Sequence, residues 1–372
     1  MKRRLFLALA LCGAIALAGC GEEEAAPTVT TSEPQITVVN DTPAITIEEE
    51  VAEEPAEETR EGMYRSELTN EWIDEALKDQ RPIAVMVDNE KTALPHYGIS
   101  RADVVYEMTN SLANDGITRL MVLFKDYEAV DQIGSVRSTR PTNLVIAPEW
   151  NAIVCHDGGP FYIDDYIAKP FVDHFSGTFS RVDNGKSREF TEYILTGDME
   201  KNFNDDSKVS KTYNEYYEGP HYQFVKSDDE VNTLEGANGV QDCSAVDLPF
   251  KHNSSKLTYD ESSKRYMYSE YGQDHVDPGN NNEQLGFTNV LLQNARYVKF
   301  DDNGYMMFYS IDYNRDGWFI TEGKAIPITW SKESETSPTK YYDKDGKEIV
   351  LNTGKTYVAL IPDDKWSGLE LK

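Results

Sequence analysis

Two arginines, Arg137 and Arg140, stand three residues apart in Gly134-Ser135-Val136-Arg137-Ser138-Thr139-Arg140, just before a stretch that opens on Pro141. The planar guanidinium is the side chain best shaped to hold a carboxylate or phosphate through two parallel hydrogen bonds. Cations at a helix start oppose the helix dipole, so a pair of them calls for an anion, either a ligand or a protein carboxylate. Polar groups that close apolar runs supply further candidates. Asp88-Asn89 ends one run and His156-Asp157-Gly158-Gly159 ends another, and ligands of α/β sheets collect beyond the carboxyl ends of strands. The pattern therefore predicts an anion or sugar pocket formed by Asp88, Glu107, Arg119, Arg137, Arg140 and His156. The structural alternative is an internal network in which Asp88 and Glu107 neutralise buried Arg119 and Arg137.

Other chemistry is weaker. Cys155 and His156 are neighbours, but adjacent strand residues point to opposite faces, so they do not form a thiol-imidazole dyad. Asp312-Tyr313-Asn314-Arg315-Asp316-Gly317 matches the first half of a calcium loop. Its closing acid should be residue 323, which is Gly, so a β-turn is expected there. Asp274-His275-Val276-Asp277 lacks a second ligand cluster at metal-site spacing. No metal and no cofactor is expected. The 22 tyrosines suit either half-buried strands or stacking on sugar faces.

These residues need strands to hold them. Pro82–Asp88, Ile117–Phe124 and Asn151–His156 read as buried strands, while Ala102–Met108 fits strand or helix. Asn70–Leu77 reads as a short amphipathic helix with Asn70 as N-cap. Thr142–Ala147 reads as a helix capped by Ser138 or Thr139, ending at Pro148, and Arg188–Leu195 as another. Beyond residue 250, hairpins are expected across 261–264, 301–304 and 343–346. The fold class predicted is α+β: an N-terminal mixed α/β domain over 63–205, a connecting segment over 206–250, and a smaller, mostly antiparallel β domain over 251–372.

The chain's start carries its address. Lys2, Arg3 and Arg4 precede the apolar run Leu5–Ala18, which is too short to span a bilayer and suits an export signal. It closes on Leu17-Ala18-Gly19-Cys20, which resembles the bacterial lipobox. That motif implies a signal peptide over 1–19 and a lipidated Cys20, held by two or three acyl chains to membrane lipid without crossing the membrane. Residues 20–62 form the lipidated Cys and an acidic tether: between 21 and 62 there are 13 Asp and Glu against Arg60 alone, a composition that cannot offset chain entropy by burial. The whole chain of 372 residues has a formal charge of −29, which repels phosphate backbones and excludes nucleic acid as a partner. Of its 4 Cys, Cys155 and Cys243 remain in the mature body, either as one disulfide or as buried thiols.

Several stretches resemble one family. Arg81-Pro82-Ile83-Ala84-Val85-Met86-Val87-Asp88-Asn89, Ala102-Asp103-Val104-Val105-Tyr106-Glu107, Gly116-Ile117-Thr118-Arg119, the 134–140 run and His156-Asp157-Gly158-Gly159 are similar to the YerB-type lipoproteins of Gram-positive bacteria. His275-Val276-Asp277, Trp330 and Leu351-Asn352-Thr353-Gly354-Lys355-Thr356-Tyr357 extend the likeness over about 65–362. Ser135 departs from a frequent Pro and Tyr357 from a frequent Trp. The resemblance implies two domains on the outer face of the cytoplasmic membrane and carries no agreed catalytic residues. The function expected is binding of a cell-wall component such as peptidoglycan, or of an envelope protein partner, without turnover. The competing expectation is an enzyme acting on peptidoglycan or a related anionic glycan.

Overall fold

The structure, a computed structural model, describes residues 58–372. The expected signal peptide, Cys20 and nearly all of the expected tether lie outside the described residues. The first described residues are tied to the body: Arg60 pairs with Asp228, and Arg65 binds Glu58 at 2.8 Å.

Strand far outweighs helix, and the longest helix among the described residues, Asp198–Asp205, has 8 residues. The centre is one mixed sheet of 11 strands. Its middle runs in the order Asn289–Ala295, Thr356–Pro362, Val104–Ser111, Ile117–Phe124, Ile83–Asp88, Ile153–His156 and His174–Ser176. The hairpin Asp312–Thr321 and Lys324–Lys332 extends it beyond Asn289–Ala295. Thr356–Pro362 is fully buried and pairs in parallel with strands from both halves of the sequence, placing Ala359 beside Glu107 and Leu292. The C-terminal half thus supplies the strand that joins the sheet, and its strands are not all antiparallel.

Two apolar layers cover the sheet. On one face Val85, Val87, Val105, Leu120, Val122 and Tyr357 pack with Leu257, Tyr266, Tyr268 and Phe287 of a second, antiparallel sheet. On the other, Ala84, Met86, Tyr106, Met108, Met121 and Leu123 pack with Leu144, Ile146 and Trp150. Alternation along each strand divides side chains between these layers, so neighbours in sequence end on opposite sides.

Several local expectations need correction. Asn70 adopts a left-handed φ of 60°; the chain then forms the strand Trp72–Asp74 and a 3₁₀ turn Glu75–Leu77 capped by Asp74. Arg188–Phe190 is a 3₁₀ turn, and Glu192–Leu195 is a strand because it pairs with Gln132–Gly134. The helix Pro141–Ile146 forms with Pro141 at its first position, but its N-cap residue is Arg140, whose N–H is accepted by Asn143 Oδ1 at 3.1 Å. Pro148 continues it as a 3₁₀ turn, Ala147–Trp150. Asp312 opens a strand with a bulge between Asp312 and Arg315 instead of forming a turn, and its carboxylate binds Arg296 at 2.9 Å. Cys155 and Cys243 are buried free thiols.

Candidate functional site

Asp88 and Arg119 are direct cross-strand partners at the ends of their strands, on the face that carries the helix. Asp88 is 1% exposed. Arg137 Nε donates to it at 2.5 Å, Arg119 lies at 3.6 Å, and the Glu90 N–H donates to its other oxygen at 3.0 Å. Burial works against ionisation, but Arg119, the Glu90 N–H and Arg137 together hold this carboxyl below its ordinary range. Burial also pulls Arg119 down to about 10, against the opposing pull of Asp88, which leaves it charged at neutral pH. Arg137 reaches Glu189 with a second nitrogen, and Arg119 donates to Ser138 O at 2.9 Å.

Arg140 differs from these two. It is 7% exposed, yet among the described residues no carboxylate pairs with it. One guanidinium nitrogen donates to Thr139 O at 2.7 Å, Nε has no partner, and the plane lies 4.2 Å from the ring centre of Tyr305. Burial pulls its pKa down, with Tyr305 and Tyr162 opposing. Asp88, Arg119, Arg137 and Arg140 line one cleft of about 420 Å³ together with Tyr305 and Glu189. That volume suits a small ligand or one residue of a polymer. The helix behind it has only 6 residues, so the attraction for an anion comes from the guanidinium of Arg140 and not from a helix dipole.

The other two expected members lie elsewhere. Glu107 pairs across the sheet with Leu120, so it points into the layer opposite Arg119. It is fully buried and accepts from Tyr357 at 2.6 Å, Tyr268 at 2.9 Å, Asn253 at 2.8 Å and Ser255 at 3.1 Å. Burial raises its pKa and these donors only partly offset it. His156 ends the strand next to that of Asp88 but lies outside the cleft, bonded to Gly158 O at 2.8 Å and to His174 at 3.0 Å; burial lowers its pKa to about 4. Among the described residues no carboxylate bonds to its ring, and Asp88 is held by the arginines.

Sequence reasoning missed Tyr305, Glu189 and the carbonyl of Ser138, which come from distant or loop positions with no local signature. It also missed a polar chain beyond Glu107. Asn253 Nδ2 lies 3.1 Å from Glu270, Glu270 accepts from His275 at 2.9 Å, and the His275 ring lies 4.9 Å from that of His96.

The comparisons with known proteins concern the fold and the family. Residues 68–212 match the model for a protein of unknown function (DUF3048) N-terminal domain, and 246–358 match the corresponding C-terminal domain. YerB of Bacillus subtilis strain 168, a candidate lipoprotein by its name, is 23% identical over 311 residues, covering 80% of this chain and 86% of the relative. The crystal structure of YerB from Bacillus subtilis superposes with a TM-score of 0.68 at 19% identity, covering 83% of this chain and 99% of that one. No described helix is long and apolar enough to cross a membrane. With both halves of the domain pair present in order, the chain belongs to the two-domain YerB-type family.

Proposed function

We propose that this protein is a lipid-anchored envelope protein that binds an anionic cell-wall component in the Arg140 cleft, without turnover. The observation that carries this reading is the buried guanidinium of Arg140, which has no carboxylate partner and faces a cavity. A buried charge left unpaired costs several kcal/mol, on the order of the penalty for any desolvated ion, and an incoming carboxylate or phosphate offsets it. Tyr305 and Phe190 add apolar ring surface to the same cleft, which suits a sugar that carries the acid. Anchoring follows from the Cys20 motif and from the name of the Bacillus relative. The outer face of a Gram-positive cytoplasmic membrane puts the cleft within reach of peptidoglycan. Residues 63–205 and 251–372 act in this reading as two domains built on a shared sheet.

Binding is favoured over catalysis by the placement of the acids. Asp88 is held ionised between two arginines, and Glu107 and His156, the other acid/base candidates, do not line the cleft. The test is to incubate the full-length, detergent-solubilised protein with purified sacculi and to assay pelleting and released fragments separately. Pelleting that weakens with salt and releases nothing is expected. Release of soluble muropeptides or glycan would replace this reading with the enzymatic one, and failure to pellet at low salt would remove the wall as ligand.

A further inference from the structure

His96 and His275 come from opposite halves of the sequence and meet under the second sheet, both buried, at 0% and 4% exposure. Their hydrogen bonds set their tautomers. His96 Nε2 lies 2.5 Å from the backbone oxygen of Asp88, which can only accept, so Nε2 carries the proton and Nδ1 is a bare lone pair. His275 Nδ1 lies 2.9 Å from Glu270. The carboxylate oxygen accepts this bond from Nδ1–H, so in the neutral ring His275 Nε2 is bare as well. Both bare nitrogens are buried without a partner.

Two unpaired lone pairs in an interior are costly unless something accepts them. One metal ion accepts both lone pairs at once, which a single proton does not. Each imidazole also shows the support that metal-bound histidines have, with the nitrogen remote from the metal donating to a carbonyl or carboxylate. Ligand atoms of His96, Glu270 and His275 all lie within 4.8 Å of one another. Glu270 and His275 border a cavity of about 280 Å³ lined by Lys91, Leu94 and Asp274.

We infer that His96 Nδ1 and His275 Nε2 bind a borderline-soft divalent ion of the Zn²⁺ class, with Glu270 positioning His275 and the adjoining cavity leaving room for water or a further ligand. Nitrogen donors suit zinc and its late transition-metal neighbours over Mg²⁺ or Ca²⁺. The site is separate from the anion cleft and does not depend on that proposal. Only His275 belongs to the Asp274–Asp277 motif weighed from the sequence; Asp277 is spent accepting from the N–H groups of Gly98 and Ser100 at 3.1 and 3.0 Å.

The test uses chelator-treated, full-length protein in detergent, titrated with Co²⁺ and Zn²⁺. One Co²⁺ per chain with visible bands of a nitrogen-bound ion is expected, displaced by Zn²⁺. His96→Gln and His275→Gln should each weaken Zn²⁺ binding at least 100-fold, and Glu270→Gln about 10- to 100-fold, as second-sphere changes do. Should a variant fail to fold, ¹⁵N spectra of the wild-type histidine rings decide: Zn²⁺ must shift one Nδ1 and one Nε2. Absence of stoichiometric uptake, ring nitrogens unmoved by Zn²⁺, or folded variants that bind as the wild type does would each overturn the assignment.

Discussion

Arg140→Met separates a ligand-binding arginine from a structural one. The substitution removes the cation–π contact with Tyr305, worth about 0.5–2 kcal/mol, and the bond to Thr139 O, worth about 1.5–3 kcal/mol for a charged donor. It also removes a 7% exposed cation that no carboxylate pairs, and replacing buried ions by apolar side chains of similar size is neutral or stabilising by about 1–4 kcal/mol. The opposing terms are of one size, so the expected stability change is within about 1–2 kcal/mol of zero. Binding should respond differently. Losing a charge-assisted contact costs about 1.5–3 kcal/mol, or roughly 10- to 150-fold in affinity. Urea unfolding at constant m-value gives the first quantity, and a sacculus pelleting isotherm at fixed salt gives the second. Arg137→Met is the contrast: it leaves the buried Asp88 with Arg119 at 3.6 Å and should cost on the order of 3 kcal/mol of stability. If Arg140→Met is destabilised by more than about 3 kcal/mol while its folded fraction binds sacculi normally, Arg140 is structural and the cleft reading falls.

Other perturbations test the rest of the framework. Glu149 is buried and bound by Lys332 at 2.9 Å, Thr339 at 2.7 Å and Tyr106 at 2.9 Å; Glu149→Gln strands a fully buried ammonium and should lower stability by about 3–5 kcal/mol in urea, an effect that Lys332→Met in the same chain should largely reverse. His156 titrates at about 4 in the fold against an ordinary 6.5, so below 6.5 the unfolded chain takes up a proton that the folded chain refuses until about 4. Stability is therefore lost as pH falls through that window, and His156→Asn should flatten the pH dependence of the urea midpoint by up to about 1.4 kcal/mol per pH unit; superimposable curves would contradict this. Cys20→Ala should abolish radiolabelled acyl incorporation and leave the signal peptide attached, whereas an acylated, cleaved variant would place the anchor at another residue.

The apolar runs Ile83–Asp88, Ile117–Phe124 and Ile153–His156 were legible in the sequence because a buried strand is recognisable locally from its length and continuous apolar character. The 256–260 and 265–269 hairpin was legible for the same kind of reason, since a turn marks its own strands. Glu192–Leu195 was not. It carries a pattern that fits a helix and becomes a strand through hydrogen bonds to Gln132–Gly134, some 60 residues away in sequence, where tertiary pairing overrides local propensity.

The arginine cluster was visible as composition, and four of the six expected residues do meet. Its membership was decided by register. Asp88 lies opposite Arg119 and shares its face, while Glu107 lies opposite Leu120 and is turned into the other layer; a shift of one residue would exchange them. No local pattern states which pairing holds. The same applies to Thr356–Pro362, which enters the sheet between strands from both halves, and to His96 and His275, which only that assembly brings together. The sequence alone determines the lipobox-like motif, the acidic charge and the buried strands, because each depends on neighbours along the chain. Strand order, the face each polar side chain occupies and the identity of its partners depend on pairings between residues far apart, and these only the tertiary structure decided.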